Sequence, residues 1–274
     1  MDRLFKKRVH QNGGRSDLKL FEILNRFHVA SSGQVRRLIF PNLAKTNVFR
    51  RLRLLESKNF IQRTNGLDCG EQAWILRSRG ASHLHSQWQP YSVNKNALYH
   101  DVTLTELRMA LESVGLGEHW ISDVSLKRET YDARNPHRAD GRLIPDGILP
   151  MPGKTSTLVW SIELELHLKS NARYQEIFRK YKTTFELSIA WYIIPRLEMA
   201  SVLRREWERS PYSGGTLVIS HLDEVLKDPA NAVLYFQNGQ CQLRDHVMLK
   251  RPEKIDHSND QGVINQPVPI SEAA

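Results

Sequence analysis

The feature that most restricts the fold is an eight-residue alternation, Ile162-Glu163-Leu164-Glu165-Leu166-His167-Leu168-Lys169, which begins sixteen residues after Asp146 in Ile144-Pro145-Asp146-Gly147-Ile148. Side chains on a strand point alternately to opposite faces. The run therefore predicts a strand with Ile162, Leu164, Leu166 and Leu168 against a core and Glu163, Glu165, His167 and Lys169 on a wetter face. If the Pro145-Asp146 segment forms a neighbouring strand, three carboxylates meet. An oxygen-rich set of this kind suits Mg²⁺ or Mn²⁺, ions that polarise a phosphoryl oxygen and help generate a hydroxide nucleophile. The same alternation also describes an amphipathic strand whose polar face is merely solvated.

The chain has 274 residues, enough for two modest domains, each with its own core. Its charge is unevenly distributed. Residues 1–60 hold 14 Lys/Arg against 4 Asp/Glu, whereas the rest hold 25 against 26, so the net charge of +9 resides at the amino-terminal end. A domain-sized basic excess is the electrostatic footprint of a nucleic-acid partner. No apolar run approaches the roughly 18 residues that span a bilayer. The polar Gln11-Asn12-Gly13-Gly14 stands where a signal peptide would need an apolar segment after Lys6-Lys7-Arg8. Cys69 and Cys241 are too few for a disulfide framework or a cysteine-based zinc site. The expectation is a cytoplasmic protein with no membrane segment.

In the basic part, Ser16-Asp17 can cap a first helix carrying Leu18, Phe21, Leu24 and Phe27, and Ser31-Ser32 can cap a second that stops near Pro41. A third helix is predicted from about 43 to 56, with Val48, Leu52 and Leu55 on one face and Thr46, Asn47, Arg50 and Arg53 on the other. Arginine reads guanine and asparagine reads adenine in the major groove, and Lys45 and Arg51 are placed as phosphate contacts. Phe60 to Thr64, a turn around Asn65-Gly66, and Gln72 to Leu76 then read as a two-stranded wing. The expected fold of residues 1–88 is a winged helix-turn-helix DNA-binding domain.

After a linker through Gln89-Pro90-Tyr91, a helix is predicted over 98–114. Strands follow at 120–126, 143–149 and 157–168, with Pro150-Met151-Pro152-Gly153 as a break between the last two. Tyr174, Ile177, Phe178, Tyr181 and Phe185 recur at helical spacing, and 189–194 is a buried strand ending at Pro195. The order is αβββαβ, so the chain is α/β in class, or α+β overall. Residues 89–250 form the second domain and 251–274 a flexible tail.

That order, with Asp146 on the second strand, Pro145-Asp146 matching the PD, and Glu163-Leu164-Glu165 on the third, resembles the core of the restriction-endonuclease-like, or PD-(D/E)xK, nucleases. The usual Glu-x-Lys is here Glu-x-Glu. With a winged helix in front, the chain looks like the MobC-type conjugative relaxases and the related replication-relaxation proteins over roughly residues 15–195. The resemblance implies metal-dependent nicking of one strand at a plasmid's transfer origin. Asp146, Glu163 and Glu165 would hold one Mg²⁺ or Mn²⁺, and Lys169 or Lys182 would supply the missing catalytic cation. The implied partners are double-stranded and locally melted DNA at the transfer origin, with relaxosome accessory and coupling proteins, in a bacterial cell that carries the plasmid.

His167 shares the acidic face, and Glu106 on the preceding helix is a candidate for a second ion site. The nucleophile is left open between Tyr174, Tyr181 and water. His83-Leu84-His85 is discounted as a His-hydrophobic-His metal motif because it reads as helix. Pro152-Gly153-Lys154-Thr155-Ser156 is discounted as a phosphate loop because a strand follows it. The rival reading is a DNA-binding regulator, or a replication or relaxosome accessory protein, whose nuclease-like domain is inactive.

Overall fold

The computed structural model describes residues 14–64, 67, 71–84, 94–130, 144–152, 157–183, 189–210 and 215–247. Lys6 to Arg8, the Asn65-Gly66 turn, Cys69, His85, the Gln89-Pro90-Tyr91 linker, Lys154 and the 251–274 tail lie outside them.

Seven elements form the amino-terminal unit: α1 (Gly14–Phe27), β1 (Val29–Ser31), α2 (Ser32–Ile39), α3 (Lys45–Ser57), β2 (Ile61–Thr64), β3 (Ala73–Leu76) and α4 (Ser78–Ala81). Leu20, Phe21, Leu24 and Phe27 of α1 recur at helical spacing and pack with Val35, Val48, Leu52, Leu55, Phe60 and Trp74 into one core. α1 starts ahead of Ser16-Asp17, so Asp17 sits in its first turn. At the start of α2 the Ser31 hydroxyl accepts from Gln34 N at 3.2 Å, as a capping serine does, and Gln34 Oε1 accepts from Ser31 N at 2.8 Å, which completes a reciprocal capping box. Ser31→Ala is expected to cost about 1 kcal/mol, read as a lower urea midpoint at unchanged slope. β1 was not anticipated. His28 adopts φ 70, turning the chain out of α1 and into a strand that lies antiparallel to β3, and the small sheet runs β1-β3-β2.

The second unit opens with α5 (Leu98–Ser113) and a 3₁₀ turn at Gly117–His119, followed by β4 (Ile121–Ser122), α6 (Asp123–Thr130), β5 (Gly147–Pro152), β6 (Thr157–Leu164), α7 (Asn171–Thr183) and β7 (Ile189–Ile194). It continues through α8 (Met199–Arg209), β8 (Thr216–His221), α9 (Leu222–Lys227), a 3₁₀ turn at Pro229–Asn231, β9 (Val233–Phe236), β10 (Gly239–Gln242) and α10 (Leu243–His246). The strands make one seven-stranded sheet, ordered β10-β9-β8-β7-β6-β5-β4. β6, β7 and β8 are parallel, and every other pairing is antiparallel. The crossovers through α7 and α8 have the same direction and lay both helices on one face, as right-handed connections require. Tyr174, Phe178, Tyr181, Leu203 and Trp207 meet Ala190, Tyr192, Ile194 and Ile219 there. Trp160, Ile162, Leu164, Trp191, Ile193 and Val218 face the other way, into a core shared with α5, α9 and α10. With both faces covered, β7 is buried throughout.

The sheet differs from its sequence reading: β8, β9 and β10 have no counterpart among the predicted strands, and the strand expected over 143–149 begins at Gly147, leaving Asp146 one step before it. The strand expected at 120–126 pairs only at Ile121 and Ser122, because the Ser122 hydroxyl accepts from Ser125 N and starts α6. Pro150 and Pro152, read as a break, lie within β5. β4 pairs only with Gly147 and Ile148, so among the described residues the outer side of β5 beyond them has no strand partner, and prolines are tolerated there. The long strand predicted to Leu168 stops at Leu164. Its parallel partner ends at Ile194 before Pro195, which has no N–H to extend the ladder, and the last bond runs from Glu165 N to Ile193 O at 3.0 Å.

α5 joins the two units. Leu98 packs with Val29, Ala73 and Ile75, whereas Leu107 and Leu111 belong to the sheet core. Thr105 Oγ1 donates to Val29 O at 2.8 Å, Arg108 Nη1 donates to Arg26 O at 2.9 Å, and Arg26 pairs with Glu112 at 2.6 Å. Glu106 accepts from Arg37 Nη2 at 2.6 Å and from Gln34 Nε2 at 2.9 Å. It is part of this joint and not of an ion site. Among the described residues no helix is long and apolar enough to cross a membrane.

Candidate active site

The acids gather where parallel strands end, the edge at which α/β sheets leave room for a ligand. β5 runs against β6 with Gly147 opposite Ile162, so Asp146, one step before β5, comes to the position opposite Glu163. Asp146 Oδ2 accepts from Leu164 N at 2.8 Å and lies 3.2 Å from His100 Nε2 in the first turn of α5. His100 Nδ1 is 3.3 Å from Asp101 Oδ1. Burial alone would depress the imidazole, but hydrogen bonds and charge from Asp101 and Asp146 carry its pKa to about 10, so it stands as a cation against Asp146. The glycine after Asp146 is sterically required, since a Cβ at Gly147 would fall 2.4 Å from the Trp120 ring.

Glu163 does lie on the face opposite Ile162 and Leu164, but α7 packs over that face and leaves Glu163 half-buried in the wall of a cleft. Tyr181 of α7 donates its hydroxyl to Glu163 Oε1. Burial, then the neighbouring Asp146 charge, pushes the Glu163 carboxyl well above the usual carboxylate range. Glu165 has left the strand. Its side chain is buried and ion-paired with Lys169 one turn of chain later, and burial raises its pKa against the pull of Lys169. Lys169 is therefore held on an acid within the site. His167 is exposed. Lys182 belongs to α7, with its side chain outside the described residues.

Asp146, Glu163, Glu165, His100 and Lys169 line one open cleft of about 590 Å³. Each acid already has an internal partner, and among the described residues no three His, Cys, Asp or Glu side chains stand in the arrangement of a metal centre. The donor chemistry nevertheless suits a hard cation. Asp146 and Glu163 are oxygen donors on neighbouring strand positions, and Glu165 would add a third only if its ion pair with Lys169 opened. Tyr174 and Tyr181 are both buried, and burial is the first cause that raises their hydroxyl pKa values. Sequence reading missed His100. Its only signal was the His100-Asp101 pair at a helix start, and no spacing ties it to a residue 46 positions away.

On α3, Lys45, Thr46, Asn47, Arg50 and Arg53 are exposed, while Val48, Leu52 and Leu55 are buried. Arg51, expected at a phosphate, instead grips buried Asp17 through both carboxylate oxygens, its Nε at 2.8 Å from Oδ1, and ties α3 to α1. His83 lies beyond α4 with its ring 5.3 Å from that of Phe60, a packing role. Cys241 is a free, half-buried thiol.

A sequence model described as replication-relaxation matches residues 21–197, well over half of the 274 residues. No curated protein and no solved structure matches the chain.

Proposed function

The chain belongs to the replication-relaxation family, and from that premise we propose that it is a metal-dependent DNA-nicking protein of the MobC-type relaxase kind, acting at a plasmid transfer origin. The observation that carries the reading is the convergence of Asp146, Glu163 and Glu165 on one cleft at the carboxyl edge of β6. We read the amino-terminal unit as a winged helix and the α5-to-β7 part of the second unit, in which α6 interrupts the expected αβββαβ order, as a nuclease-like core. Asp146 and Glu163, joined by Glu165, would hold Mg²⁺ or Mn²⁺, and the ion would supply polarisation of the scissile phosphate and activation of water. His100 orients Asp146 and neutralises part of its charge, while Tyr181 orients Glu163. Lys169, if released from its pair with Glu165, would offer a cation to a phosphate oxygen. Water is the favoured nucleophile, because a buried phenol with a raised pKa is a poor one. Nicking of supercoiled DNA bearing the cognate transfer region, with and without Mg²⁺ or Mn²⁺, tests the proposal, and intact supercoils under both conditions would end it.

A second reading, a DNA-binding regulator with a silent acid site, is favoured by the internal partner that each acid already has. A burial argument weighs against it. Placing Glu163 beside Asp146 under a helix disfavours the charged form and serves no evident packing purpose.

In either reading α3 faces the major groove. Arg50→Ala with Arg53→Ala is expected to weaken duplex binding by about 1–3 kcal/mol and to flatten its salt dependence. Isotherms at several salt concentrations measure both, and an unchanged affinity would take α3 out of the interface.

A further inference from the structure

The six large hydrophobic side chains exposed among the described residues are Leu43, Leu54, Tyr99, Ile121, Leu168 and Leu197, and two of them, Tyr99 and Leu168, line the acid cleft. Tyr99 is the only aromatic of the six and is 60% exposed, and Leu168 is 44% exposed. Neither has a packing reason to stand in water. Leu168 falls where β6 has already ended, and Tyr99 precedes His100, the residue that touches Asp146. Lys169 and Arg173 line the same cleft, Lys169 paired with Glu165 and Arg173 with the surface carboxylate Glu176 at 2.6 Å, so the cations beside the apolar pair meet a phosphate by exchanging those carboxylates.

We propose that Tyr99 and Leu168 form a stacking subsite for an unstacked base of a single DNA strand, whose backbone passes Lys169 and Arg173 and whose phosphodiester lies at Asp146. The chemistry selects the strand state. In a duplex both faces of each base are covered by neighbouring pairs, so an exposed phenol at a cleft rim has nothing to stack on. A melted strand offers bare base faces, and aromatic stacking with adjacent cations is how single strands are held without sequence preference. The subsite rests on the proposed nicking reading only for its purpose and not for its existence.

The test uses the full chain in EDTA, so that binding is separated from cleavage. Anisotropy with a fluorescent single-stranded oligothymidylate carrying one 5-iodouracil is compared with a duplex of equal length, and photo-crosslinks are mapped by mass spectrometry. Tyr99→Ala is expected to weaken single-strand binding about tenfold, Tyr99→Phe to retain it, and duplex affinity to stay unchanged in both. The crosslink in the unaltered chain should fall on Tyr99. Single-strand affinity unchanged in Tyr99→Ala would overturn the proposal, as would equal losses for single strand and duplex or a crosslink confined to other residues. Binding of this kind without metal-dependent nicking would remove the nuclease reading and leave the subsite standing, and nicking without it would do the reverse.

Discussion

Asp146→Asn and Glu163→Gln are each expected to reduce metal-dependent nicking by at least about a hundredfold while leaving duplex binding intact, because each removes an anionic oxygen from a site whose chemistry needs one. Loss of activity alone would not separate a ligand from a structural acid, so stability is the second readout. Glu163 is an acid that burial and Asp146 push toward its neutral form. Its amide replacement keeps an oxygen for the Tyr181 hydroxyl and removes the buried charge, so Glu163→Gln should melt at a higher temperature than the unaltered chain at pH 8. Inactive and more stable is the signature of a residue kept for chemistry. A variant that loses nicking, binding and stability together would mark Glu163 as part of the scaffold instead.

His28 is expected to make the fold acid-sensitive by as much as about 3 kcal/mol between pH 6.5 and 4. Burial at the joint between the two units lowers its pKa from 6.5 to about 4, with Asp123 and Asp101 opposing and Arg108 assisting. Above pH 6.5 the imidazole is neutral in both folded and unfolded chains and contributes no slope. Below that value the unfolded chain takes up a proton that the folded one refuses, so stability is lost as pH falls toward 4. His100, raised to about 10, is protonated in both states across this window, and its contribution is lost only as pH rises toward 10. Glu163 and Glu165, with raised pKa values, act in the opposite sense to His28 under acid. The informative quantity is therefore the stability difference between the unaltered chain and His28→Asn at each pH. Asparagine tolerates the left-handed backbone of position 28, where φ is 70. A difference that stays constant from pH 7 to 4 would show that His28 does not refuse its proton in the folded state.

Much of the fold was legible because it is written in local periodicity. The apolar stripes of α1, α3 and α7, the capping Ser31 and the buried run of β7 each depend on neighbours within a turn or a pleat, and all appear near their expected places. The basic amino-terminal charge and the exposed Arg50 and Arg53 were likewise visible in order along the chain. Strand ends were not, because a strand stops where its partner stops. Nothing within Glu165 to Lys169 says that β7 will end before Pro195, so the alternation ran on in sequence after the ladder had finished.

What the sequence determined by itself was therefore the inventory: a basic amino-terminal segment, a charged helix, and acids at Asp146, Glu163 and Glu165. The tertiary structure alone decided how those acids are partnered. It covered the face of Glu163 with a helix, turned Lys169 back onto Glu165, took Arg51 for Asp17 and Glu106 for Arg37, and brought His100 and Tyr99 to the cleft from a helix far off in sequence. The physical reason is one of range. Hydrophobic period and caps are set by contacts a few residues apart, whereas charge pairing and burial depend on which distant elements a packed sheet and its covering helices place side by side.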